Sequence, residues 1–212
     1  MKTTFLTIAA IISTSIAFAQ SPNFEKGMNQ GFEMMKAAKS SEEYLSSSNF
    51  FERVATTEKN NWLPFYYSAY NLLISGVMEK DNSKKDGIYD KALDLTLQAS
   101  TLQPNTSEIE TLTGYIKLMK VYVDPMNRYM EIQPAITHLQ KAKELDQSNP
   151  RPVFIIAQNT FYTPEAYGGG KKIALPQLKD AMEKFESYKP ANAFAPNWGA
   201  ERCKFLLDEA QK

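Results

Sequence analysis

Small and bulky residues recur along this chain at helical spacing. Ala92, Thr96 and Ala99 stand at i, i+4 and i+7, as do Ala135, Leu139 and Ala142, and again Ala174, Leu178 and Ala181; Ser47, Phe51 and Val54 follow more loosely. Residues so spaced share one helix face, where small side chains let a neighbouring helix approach and the bulky one fills the gap. Phe51, Leu139 and Leu178 are therefore expected in the core. The units leave room for a partner helix before each, and residues 62–77, 107–121 and 152–161 carry apolar residues at that period. Pro104, Pro150 and Pro190 punctuate the turns between units, and Pro134 suits a first helical position. No stretch alternates in the manner of a strand. The pattern predicts an all-α chain of antiparallel helix pairs, with a helix over 24–38 before them and a closing helix over 197–211.

The order small, bulky, small and proline on the second helix of each pair resembles the tetratricopeptide repeat (TPR). The match covers residues 41–187 and is degenerate: Ser47 and Thr96 carry hydroxyls where the family prefers apolar side chains, and the units exceed its usual length of about 34 residues. The segments "VDPMNRYM", "SNPRP", "YTPEAYGGGKKIALPQL" and "PNWG" resemble parts of exported, TPR-like bacterial proteins. The resemblance implies an α-solenoid of about four degenerate pairs plus a closing helix, and supplies no reaction.

The extra length is expected between the two helices of a pair, at residues 78–87, 122–133 and 162–172, so three enlarged loops would form one rim. The third holds Tyr167, Gly168, Gly169, Gly170, Lys171 and Lys172. A phosphate-binding Walker loop needs Gly-x-x-x-x-Gly-Lys-Ser/Thr between strand and helix, whereas Ile173 follows Lys172 here. The glycines are read as a sharp turn before a helix, one that begins near Ala174 so that Pro176 falls in its first turn. A second reading has free glycine amides, with Lys171 and Lys172, holding a carboxylate or phosphate; Asp124, Arg128 and Tyr129 would lie along the same rim, or else pair with one another.

Composition narrows the chemistry. Basic and acidic residues balance at 24 each, which disfavours nucleic acid as a partner. Lys2, an apolar run from Phe5 to Ile16 and Ala17-Phe18-Ala19 have the layout of a secretory signal cut after Ala19, and the run is short of the roughly 20 residues that span a bilayer. One exported domain over residues 20–212, periplasmic or secreted and not membrane-spanning, is expected. With one histidine, His138, and one cysteine, Cys203, no metal site, cofactor or catalytic residue is assigned.

In the resembled family the first helices line a concave groove, which implies contact residues Tyr66, Tyr70, Glu110, Lys117, Asn159 and Tyr162. The function expected is noncovalent binding of a protein or peptide, as an adaptor or scaffold in the cell envelope. The alternative is a periplasmic carrier of a small acidic ligand, or a solute-transport accessory subunit, with an enclosed pocket in place of an open groove. An enzyme is third, since it needs titratable side chains converging in one cleft.

Overall fold

The computed structural model describes residues 22–212; the export signal read over residues 1–19 lies outside them. Four antiparallel pairs follow one another: α1 (Pro22–Ala37) with α2 (Ser41–Thr57), α3 (Leu63–Met78) with α4 (Asn82–Leu102), α5 (Ser107–Val123) with α7 (Ile132–Leu145), and α8 (Pro150–Tyr162) with α9 (Lys171–Ser187). A short α6 (Pro125–Arg128) and a 3-10 turn occupy the α5–α7 connection, and α10 (Ala200–Ala210) closes the stack. Successive helices pack on one another, giving a TPR-like, all-α solenoid. Among the described residues, no helix is long and apolar enough to cross a membrane.

Local chemistry starts the helices where the chain demands. Ser40 and Glu43 form a reciprocal capping box on α2, and the side chains of Asp81 and Asn149 accept from the Ser83 and Arg151 amides at the starts of α4 and α8. The seams between paired helices follow the small–bulky–small pattern. Ala92, Ala99, Ala135, Leu139, Ala142, Ala174, Leu178 and Ala181 are fully buried, and Thr96 nearly so. In the first and third pairs the first helix carries glycine opposite the bulky position. A Cβ on Gly31 would lie 2.5 Å from the Phe51 ring, and one on Gly114 would lie 2.8 Å from Leu139. The loosest unit departs by one residue: Val54 is half-buried against Gly27, and Ala55 takes the buried small position.

Two expected boundaries move. Residues 78–87 are not an enlarged loop, because Asp81 caps α4 at once and "NSKKDG" forms its exposed first turns. Helix α9 starts at Lys171 rather than near Ala174, which places Pro176 inside it. Pro176 faces solvent, so water can take the backbone carbonyl that its missing N–H leaves unpaired.

The least regular segment, residues 188–199 between α9 and α10, runs as a strap over the inner face of the first helices. Phe194 is buried against Phe24 of α1 (edge-on, 5.4 Å) and Phe32 (stacked, 6.1 Å), and its carbonyl accepts from the Tyr67 hydroxyl at 3.0 Å. Trp198 stacks on Tyr70 of α3 (5.0 Å) and Tyr115 of α5 (6.1 Å), and its indole N–H donates to the Tyr66 hydroxyl at 2.8 Å. Beneath it lies a buried ion pair. Arg151 of α8, with no exposed surface, grips Glu108 of α5 through two nitrogens, Nε at 2.8 Å, and its guanidinium lies over Tyr188 (4.5 Å) and Trp198 (5.9 Å). Asn149 donates to the same carboxylate at 3.0 Å. Burial pushes the Glu108 carboxyl up, against the pull of Arg151, while pairing with Glu108 outweighs burial and holds Arg151 protonated.

Candidate functional site

Where the strap ends, the inner face opens into a cleft of about 680 Å³, within the range of small-molecule sites. Ile74 and Val77 of α3, Met119 of α5, Phe154 of α8 and Trp198 of the strap supply apolar walls. Tyr115, Tyr122, Gln158, Tyr162 and Arg202 add polar atoms. The first helices reach the cleft through their C-terminal turns, which places Val77, Tyr122 and Tyr162 at its mouth with substantial exposure.

The polar atoms are paired and fixed. Gln158 Nε2 donates to the Tyr115 hydroxyl at 3.2 Å, the Tyr122 hydroxyl donates to Asn159 Oδ1 at 2.5 Å, and Arg202 donates to the Tyr162 hydroxyl. Burial raises the phenol of Tyr115 and pushes that of Tyr122 up to about 12, so both stay neutral hydrogen-bonding groups. Gly199 sits at the cleft edge with φ 107°, a conformation that favours glycine, and a Cβ there would meet the Phe185 ring at 2.8 Å. What this arrangement offers is an aromatic and aliphatic cleft with hydroxyl and amide groups and one guanidinium. Among the described residues, no carboxylate or imidazole lines it.

The expected groove residues are not gathered in one trough. Tyr66 is fully buried, its hydroxyl between Trp198 and Glu108, so it is core rather than contact surface. Tyr70 is half-buried beneath Trp198. Glu110 turns toward α7, where His138 and Lys141 each lie 2.7 Å from its carboxylate. Lys117 lines a separate depression with Lys120, Arg128 and Glu131. Asn159 supports Tyr122, and Tyr162 lines the cleft itself. For Tyr66 and Tyr70 the cause is the strap, which covers the face of α3 that an open TPR groove would leave free.

At the rim, Arg128 makes a two-pronged contact with Asp86 (2.6 and 2.7 Å) rather than with Asp124, whose carboxylate accepts from Asn127. Tyr129 and Tyr167 are strongly exposed. The glycine turn bends as read, with Gly168 at φ 81° and Gly170 at φ 98°. Its amides are not free: those of Gly168, Gly169 and Gly170 donate to the carbonyls of Glu165, Pro164 and Thr160 at 2.9–3.2 Å. Lys171 reaches Glu209 at 3.6 Å, and Lys172 stands exposed. Cys203 is buried, and burial pushes its thiol up to about 12. Among the described residues, no cluster of His, Cys, Asp and Glu is placed to hold a metal ion.

Of the cleft lining, sequence reasoning named Tyr162 alone and missed the rest, Ile74, Val77, Tyr115, Met119, Trp198 and Arg202 among them. The one available signal was the tryptophan of "PNWG", an aromatic next to glycine in a segment without periodicity.

No family model and no curated protein matches the chain. Among solved structures it is similar to the HusA haemophore from Porphyromonas gingivalis, at 28% identity and a TM-score of 0.78, over 89% of this chain and 92% of that one. It also aligns with a thermophilic TPR protein in Thermus thermophilus at 14% identity and a TM-score of 0.46, over 89% of this chain and 98% of that one.

Proposed function

We propose that this chain is an exported, noncovalent carrier of a small, flat, largely apolar molecule of the tetrapyrrole class, held in the cleft between Trp198 and the C-terminal turns of α3, α5 and α8. The observation that carries the reading is the cleft itself: aromatic and aliphatic walls around about 680 Å³, left open where the strap fills the rest of the inner face. The similarity over most of both chains to a haemophore supports the same class of cargo and an exported setting. Binding is by burial of apolar surface, worth roughly 25 cal/mol per Å² before the costs of association. Titration of the chain with haem, followed by the haem absorbance and by tryptophan fluorescence, tests it. Val77→Trp enlarges an exposed side chain at the cleft wall and is expected to abolish binding while leaving the thermal melt in place. Haem binding unchanged in that variant would remove the cleft from the reading.

An adaptor that binds a protein partner is the second reading. Met126, Tyr129 and Met130 in the α5–α7 connection and Tyr167 before α9 are each more than 60% exposed, and offer large apolar side chains to a partner. Capture of a specific protein by the wild type, lost on changing Tyr129 and Met130 to Ser, would favour it over the carrier.

A further inference from the structure

The cargo's polar end is legible in the charge of the cleft. Its lining holds one cation, Arg202, and no acidic side chain. Arg202 is exposed, lies over the Phe205 ring at 4.9 Å, and donates to the Tyr162 hydroxyl, while none of the carboxylates of the described residues comes within 4.0 Å of it. A guanidinium held in a fixed plane by an aromatic face and one hydroxyl keeps donors available for a planar anion. The uncapped start of α10 lies at the same edge: Gly199 lines the cleft and is its N-cap, with no side chain accepting from the first amides. Those amides add partial positive charge where Arg202, in the first turn, already stands.

From this juxtaposition we infer that the cleft selects a carboxylate-bearing ligand, with Arg202 as the specificity-determining contact and Tyr162 as the residue that positions it. The inference rests on the carrier reading and adds to it which end of the ligand faces out. The apolar body lies against Trp198, Met119 and Phe154, and the acid group meets Arg202 at the mouth.

The test compares protoporphyrin IX with its dimethyl ester, two probes with the same ring and different charge, each titrated into the full chain by tryptophan quenching. Wild type is expected to bind the free acid about tenfold more tightly, the order of one charge-assisted hydrogen bond. Arg202→Met should erase that preference, Arg202→Lys should restore part of it, and Tyr162→Phe should reduce it severalfold. Because Arg202 and Tyr162 are both exposed, the melts of these variants should match wild type. Equal wild-type affinity for acid and ester, or a preference that survives Arg202→Met, overturns the carboxylate contact and leaves the carrier intact. Failure of both probes to bind overturns the carrier reading and this inference together.

Discussion

The seams between paired helices and the inner face they enclose are built by different rules. A seam such as that of α5 and α7 joins residues about 20–30 positions apart, repeats unit by unit, and is almost wholly apolar: Gly114 faces Leu139 between Ala135 and Ala142. The inner face is made once. It brings Trp198 to Tyr66 and Phe194 to Tyr67, partners 132 and 127 residues apart, and sets a buried ion pair beneath them. A repeat can specify the first from any one of its units, whereas the second requires the whole chain. Stability in the seams should therefore be local, and stability on the inner face should be shared by both halves of the molecule.

The largest expected effect tests the inner face. Arg151→Met leaves the Glu108 carboxyl buried without its partner, so that burial drives it to take up a proton, and should cost about 3–5 kcal/mol in a denaturant melt. A cost no larger than that of a surface change would mean that water reaches the pair. Leu139→Ala empties the centre of a seam and should cost about 2–5 kcal/mol. Ala142→Leu overfills the same seam, where the Ala142 carbonyl also accepts from Ser107, at about 1–3 kcal/mol. If the two rules are distinct, Arg151→Met and Leu139→Ala should be additive in the double variant, and a coupling above roughly 0.5 kcal/mol would break the comparison.

The smallest effect is a pH dependence. Burial raises Glu110, but hydrogen bonds from His138 and Lys141 outweigh it and hold the carboxyl below its ordinary value. Its contribution is thus complete above the unfolded carboxyl range near 4.3 and is lost as pH falls through the lower folded value. Glu110→Gln should flatten that part of the acid limb by under about 1 kcal/mol, as expected for a pair at the surface. An acid limb identical in the variant would show that the cluster adds nothing.

The seams were legible because their signal is periodic and local. Ala135, Leu139 and Ala142 announce a face without knowledge of what covers it. The start of α4 was not legible, since "NSKKDG" is as polar on a solvated first turn as in a loop, and only the Asp81 cap separates the two. The glycine turn was legible as a turn, but the destination of its amides was not, because Thr160 and Pro164 accept them through backbone carbonyls that any residue carries. The groove residues were assigned to an open surface because nothing in α3 reveals that Trp198 lies over it. Tyr162 lines the cleft for a reason the sequence did express, the exposed end of a first helix, whereas Arg202 owes its place to the turn at Gly199.

The strap also decides what kind of object this solenoid is. An open repeat array can be lengthened, shortened or melted from either end, since each unit answers only to its neighbours. Here residue 194 is buried against residue 24, so the strap between α9 and α10 completes the first helix pair. The array is closed like a clasped bracelet: no unit can be added inside the clasp, and removing the strap uncovers Phe24 and Phe32 of α1. Such a chain should lose its two ends in a single cooperative step, and its length should be as fixed as that of a globular domain.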